Sequence, residues 1–447
     1  MKRLLCISFL SIFSFYLSFV YYDYDVYDLL FLVPNYCLSL FCLLNLFSKN
    51  EYEYSFNNIF YVFYYFFFGI APAFQYMEKV NIWGGTLFTE EDYILTTIIS
   101  LISLVIYRYL NHLFRKQSEK RMRQISNMNS NLYSSENVNS WVLVIISLLS
   151  FFVYFKLVDF DVLRLLIRGG DEIEMTSSST STSSYLLISK FIRPMSVASL
   201  LIFKMLDKKN IVVEVLLWLI LLLANSPFGM ARFSVAAFYM PILFLYSSKL
   251  KKKYNFSILL VFSILIVFPF LNQFRYWGEG DITIGFNFDM FLVGHFDSFQ
   301  MFMRVIKEDI ITYGRQLLGV LFFFFPRSLW PDKPIGSGHF VAGESNLYFD
   351  NVSMNFLGEG YLNAGFGGII LFLFFIAWFN AYMDTRFWKS DPNNIFKVNY
   401  YLLLGMEFVI LRGQLMSFYP ITIGYVCSTF FVYKISKIHF YTKSKSI

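Results

Sequence analysis

Phe256-Ser257-Ile258-Leu259-Leu260-Val261-Phe262-Ser263-Ile264-Leu265-Ile266-Val267-Phe268-Pro269-Phe270-Leu271 carries no charge, and Asn272-Gln273-Phe274-Arg275-Tyr276-Trp277 follows it directly. The first stretch belongs in a bilayer and the second at its surface. Similar apolar runs recur along the chain, most of them ~17–22 residues, which is the length of a membrane-crossing helix; barrel strands would be ~10 residues with strict alternation. Every backbone polar group in lipid must find a partner within the fold, so continuous runs of this length predict helices. The expected fold is an all-α polytopic membrane protein.

Composition excludes a soluble domain. The 447 residues are 57% hydrophobic and 15% charged, with 56 Phe and 32 Tyr, against about 25% charged residues in a typical globular domain. The net charge of +6 is modest, and no nucleic-acid partner is expected. Cys6, Cys37, Cys42 and Cys427 all fall in apolar runs, which implies neither a disulfide framework nor a zinc motif. Met1-Lys2-Arg3 and the apolar run after it resemble a signal peptide. Tyr21-Tyr22-Asp23 stands where a small-residue cleavage site would be, so the run reads as the first membrane helix.

Twelve spans are expected, at 4–21, 28–47, 57–76, 92–113, 140–157, 186–206, 211–226, 233–247, 256–271, 360–381, 395–411 and 416–433. Lys and Arg crowd alternate loops: Lys2/Arg3, Lys49, Arg115 to Arg123, Lys208/Lys209, Lys249 to Lys253, Arg386/Lys389 and the tail from Lys434. The positive-inside rule makes these loops, and both termini, cytoplasmic. Residues 1–271 then hold spans one to nine, 272–359 form one large external loop, and 360–447 hold spans ten to twelve and a basic cytoplasmic tail. Gln316 to Phe325 is too short for a thirteenth span, with Gly319 inside it and Pro326 ending it, and reads as a re-entrant or interfacial helix. Residues 114–139 read as a flexible connector, and the Ser/Thr tract 176–184 as an outer loop without chemistry. No internal repeat is visible.

The external face carries the candidate chemistry. Asn225 to Phe233 makes a tight turn that holds Arg232 at headgroup level, either as a snorkelling side chain or as a phosphate ligand. Arg275 caps span nine, and with Arg232 it can clamp a pyrophosphate. Lys190 and Arg193 share one face of span six and point to a wet cavity or snorkel outward. Arg412 turns the chain between the last spans, with Glu407 near enough for an internal ion pair. Asp289–Lys307 is an amphipathic helix candidate lying on the membrane surface, with Asp297, Gln300 and Arg304 on one face. Arg315 precedes Gln316–Phe325, and Arg327 and Lys333 flank a Pro-rich turn. Glu359 sits at the start of span ten, as a helix cap or a general base. Asp23/Asp25 and Asp159/Asp161 are weak metal candidates without a third ligand. His339 is isolated from His295.

Asn225–Phe233, Arg275, Phe325–Gly338, Gly358–Gly368 and Arg412-Gly413 together resemble the bacterial O-antigen polymerase (Wzy) family of oligosaccharide repeat-unit polymerases. The resemblance implies a metal-independent inner-membrane glycosyltransferase of GT-C-like helical fold. It moves a growing glycan from one undecaprenyl pyrophosphate to the outermost sugar of another lipid-linked repeat. Donor and acceptor are both undecaprenyl-pyrophosphate-linked oligosaccharides, with a chain-length regulator and a flippase as protein partners. Pyrophosphate binding carries over onto Arg232, Arg275, Arg327 and Arg412, and Lys333, Lys190, Arg193, His339, Arg304 and Arg315 are further substrate-binding candidates. The sequence departs from members with two evenly spaced Arg-rich loops; Arg164 and Arg168 match that pattern in part. Fixed guanidinium groups stabilise a departing pyrophosphate without a metal. No cofactor is expected, and no phosphate-binding Gly-Lys-Ser/Thr loop is present. The rivals are an O-antigen ligase, for which His339 is the pertinent residue, a flippase for the same lipid, and a polyprenyl-phosphate-sugar transferase using Asp23/Asp25.

Overall fold

The computed structural model describes residues 2–20, 23–49, 51–128, 138–166, 182–206, 209–230, 232–273, 288–390 and 394–437. No strand occurs among them. A helix lies at each of the twelve expected spans: α1 (Lys2–Phe19), α2 (Leu29–Leu46), α3 (Phe56–Met77), α4 (Glu90–Met128), α5 (Ser140–Leu157), then after the short α6 (Val162–Leu166) come α7 (Thr182–Met205), α8 (Ile211–Ala224) and α9 (Arg232–Tyr246). A tenth helix, α10, runs from Asn255–Phe262 through the π-turn Ser263–Val267 into Phe268–Gln273. The polar island contributes α11 (Ser298–Lys307), α12 (Arg315–Leu321) and α13 (Ser337–Glu344). The chain closes with α14 (Phe356–Lys389), α15 (Asn394–Arg412) and α16 (Leu415–Ser436). Eight of these helices are long and apolar enough to cross a membrane, and α9 and α10 are shorter apolar helices.

Local chemistry sets the boundaries. Ser55 accepts the amide of Asn58, Asn139 that of Trp141, and Asn210 those of Val212 and Val213, so each caps a helix whose first amides have no turn before them. Asn355 does the same for Leu357 and Gly358. In α14 the helix breaks at Ala364 and Gly365, where Gly365 takes φ +58°, a value that favours glycine. The turn before the break therefore folds back on the turn after it, Gly360 against Gly368.

Two apolar cores hold the bundle. One gathers α1 to α4, α10, α11, α14 and α15, with stacked pairs such as Phe387–Tyr400 (ring centroids 4.0 Å) and Tyr64–Phe68 (4.7 Å). The other gathers α5, α7, α8, α9, α15 and α16. Apolar side chains also face outward in quantity, among them Phe9, Ile102, Leu149, Phe366 and Phe430, as the wall of a membrane bundle requires.

Side-chain pairs fix the two ends. At one end Arg3 donates to Phe47 O (2.7 Å), Arg115 pairs with Glu51 (2.7 Å) and Asp384 (3.5 Å), Lys204 pairs with Glu214 (2.8 Å), and Asn139 N meets Ser436 O. At the other, Tyr76 donates to Asp28 (2.6 Å), Asn355 to Ser298 O (2.6 Å), and Arg412 pairs with Asp297 (3.1 Å). The polar island thus shares an end with residues 23–28, 77–92 and 412–415, opposite the basic loops.

Two expectations change. The basic segment after residue 113 is not a connector throughout, because α4 runs on to Met128 without Gly or Pro and is anchored by Arg115 between two carboxylates. Asp289–Lys307 is not one helix on the membrane surface. Short 3₁₀ turns cover Phe288–Leu292 and Gly294–Phe296, and α11 is buried from Ser298 to Val305. At Gln316–Phe325, where a short helix that does not cross is expected, the seven-residue α12 continues into a turn.

Candidate functional site

The turn Leu411–Leu415 is the meeting point of five separated stretches. Arg412, last residue of α15, donates to His295 O (2.9 Å), Gly294 O (3.0 Å) and the Asp297 carboxylate (3.1 Å). Asp297 is almost fully buried and also accepts from Trp83 Nε1 (2.8 Å) and from the Ser353 amide and hydroxyl. Gln414 Oε1 accepts from Gly338 N (2.8 Å). Glu359 accepts from Leu415 N (2.8 Å) with one oxygen and from Ser337 Oγ (2.9 Å) with the other.

Glu359 therefore braces the first turn of α16 against α13. It is fully buried with both oxygens engaged, so it does not present a base to an acceptor hydroxyl. Arg412 pairs with Asp297 rather than with Glu407, whose side chain is buried one and a half turns earlier in α15. Arg304 is no substrate ligand either. Its guanidinium is caged by Asn81 Oδ1 (3.2 Å), Gly84 O (2.7 Å), Thr86 O (3.5 Å) and Glu308 (3.0 Å). Burial pulls its pKa down while Glu308 opposes the shift.

An apolar groove of about 210 Å³ opens beside this junction. Ile59 and Phe67 of α3, Val235 and Tyr239 of α9, Leu260 to Phe268 of α10, and Gly405 and Phe408 of α15 line it. Gly405 lets α15 lie directly on the backbone of Ala236 and Ala237, where a Cβ would have no room. At the island end Phe268 meets the edge of His295 (5.6 Å), whose carbonyl Arg412 holds. Arg232 is the first residue of α9, one turn before Val235. Its side chain, that of Arg164 in α6, and residues Arg168 and Arg275 lie outside the described residues.

The remaining candidates sit apart. Arg193 donates to Asn225 Oδ1 (3.2 Å) and lies over the Tyr154 ring (4.5 Å), beside the second core, and Lys190 is half-buried one turn before it. Arg315 at the start of α12 lies near Arg327 and Lys333 of the hairpin that follows it. Burial and the nearby Arg327 lower the Lys333 pKa. His339 is 39% exposed, with Nδ1 3.7 Å from the Asp350 carboxylate, which leaves its outer ring edge open to solvent.

Asp23 and Asp25 line an open cavity of about 1180 Å³ at the same end, together with Asp28, Glu90 and Glu91. No group of three or more side chains suited to a metal occurs among the described residues. The sequence reading missed Asp297, Trp83, Ser337 and Gln414 as the ties of this junction. An unassigned carboxylate in an island rich in arginine was the available signal for Asp297. No protein-family model, no curated protein and no solved structure matches the chain.

Proposed function

We propose that the chain polymerises undecaprenyl-pyrophosphate-linked oligosaccharide repeats into surface polysaccharide on the outer face of the bacterial cytoplasmic membrane. In this reading all twelve helices cross, the fold is GT-C-like, both termini are cytoplasmic, and the island is external. One observation carries the reading: an apolar groove between α3, α9, α10 and α15 ends where Arg232 opens α9 and Arg412 closes α15.

The polyprenyl chain of the donor lies in the groove, walled by Phe, Ile and Leu. Its pyrophosphate sits at the mouth, where α9 begins at Arg232, and Arg232 and Arg275 are the ligands that the sequence assigns to it. Arg412 holds the junction in shape through Asp297. The glycosidic carbon leaves its pyrophosphate oxygen and bonds to the acceptor hydroxyl oxygen. The guanidinium groups take up the charge that develops on the leaving group, in a site partly shielded from water. The hydroxyl proton goes to a base on the island, for which His339, 3.7 Å from the Asp350 carboxylate, is the candidate.

The exposed His339 on the island equally favours ligation of a finished glycan to a different acceptor. Deleting the protein in its host separates the readings. Loss of a polymerase leaves single repeats on the normal anchor. Loss of a ligase leaves long chains unattached, and loss of a flippase leaves neither outside.

A further inference from the structure

α12 and the hairpin after it carry an outward face that the bundle does not cover. Leu318, Leu321, Phe322, Phe324, Phe325 and Leu329 are 40–74% exposed. Charged groups are absent from Gln316 to Phe325, and the segment's one polar side chain, Gln316, points inward and is buried. A face this apolar on a water-washed loop would be costly.

The backbone beneath it is closed. Phe322 N bonds Leu318 O, Phe323 N bonds Val320 O, Phe325 N bonds Phe322 O, and both Leu329 N and Trp330 N bond Pro326 O. The carbonyls that these turns leave over are capped by cations. Lys333 Nζ donates to Phe323 O (2.6 Å) and Phe325 O (2.9 Å), Arg327 to Lys333 O (2.8 Å) and Pro334 O (3.3 Å), and Arg315 to Asp332 O (3.3 Å). Irregular backbone is tolerated beside lipid only when its polar groups are satisfied from within. A water-exposed turn has no need of such caps.

The face is also continuous with the bundle wall. Phe323 meets Tyr419 of α16 edge-on (5.9 Å), and Gly319 lies against Met416. The two helices that α12 packs against, α14 and α16, also carry exposed apolar side chains, among them Phe366, Ile370 and Phe430.

We infer that residues 315–335 form a preassembled paddle seated in the bilayer leaflet at the island end, its apolar face among acyl chains and Arg315, Arg327 and Lys333 serving as carbonyl caps. The long cationic side chains keep their charged heads toward the headgroup level while spanning to the carbonyls. The occupant of the face is the bilayer that surrounds the spans, since the face adjoins the wall of α16 at Tyr419 and Met416.

The test uses the full chain in vesicles, with the four native cysteines changed to Ser. Phe324→Cys, Leu329→Cys and, on the neighbouring loop, Tyr348→Cys are labelled with an environment-sensitive fluorophore. Quenching by doxyl-labelled lipid at positions 324 and 329, with iodide without effect there and the reverse at 348, is expected. Iodide quenching at 324 and 329 would overturn the inference, and so would shelter from both quenchers, which means protein covers the face. Lys333→Met in the Leu329→Cys chain is expected to weaken lipid quenching at least twofold; unchanged quenching removes the capping role. No glycan enters these measurements, so they stand or fall independently of the polymerase reading.

Discussion

Asp297 and Arg412 show how a charged pair at the end of a membrane bundle is spent on architecture. Each has several partners, and the pair is largely withdrawn from water. Breaking a buried pair leaves an uncompensated charge, at a cost of about 3–5 kcal/mol. Asp297→Ala is therefore expected to lower the thermal unfolding midpoint in detergent sharply, and Arg412→Lys to do so in part, because an ammonium cannot fork between two carbonyls and a carboxylate. Glu359 gives a cleaner contrast. Glu359→Gln keeps an acceptor for Leu415 N and is expected to leave glycan elongation near normal, whereas Glu359→Ala loses the brace and destabilises. Loss of elongation in a well-folded Glu359→Gln chain would restore a catalytic role to that residue. Its proximity to span ten was legible in the sequence. Its partners, 22 and 56 residues away, were not, because no local pattern encodes a bond to Ser337 or Leu415.

At the scale of elements, the positions of the helices were legible because run length and charge spacing report lipid directly. Burial of the island was not. The periodicity of Ser298–Lys307 correctly put Asp297, Gln300 and Arg304 on one side, but it could not tell that a loop of carbonyls at Asn81 to Thr86 would meet that side. The same pattern serves a surface helix and a helix with polar partners on both faces. The groove likewise depends on how α9, α10 and α15 pack, which a single sequence does not display. Filling it tests its role: Ala236→Trp is expected to abolish elongation while the chain stays monodisperse in detergent and reaches the membrane at its usual level. Normal glycan length in that variant would remove the groove from the reaction.

For the whole molecule, the island, the 23–28 turn, the 77–89 loop and the α15–α16 turn share one end, and the basic loops share the other. In the proposed reading the island faces outward, as the positive-inside rule expects. A cysteine at the exposed Tyr348 is expected to react with a membrane-impermeant thiol reagent added to intact cells, and one at Lys251 only after the cells are opened. The opposite pattern would invert the molecule and put the groove mouth on the wrong side for a lipid-linked glycan delivered outside.

The account rests on cations at the mouth of that groove gripping a diphosphate. The most direct measurement is the length distribution of the surface glycan in a host whose only copy carries both Arg232→Gln and Arg275→Gln. Collapse of the ladder to single repeats, with the protein present at its normal amount, is the predicted result. An unchanged ladder would contradict it.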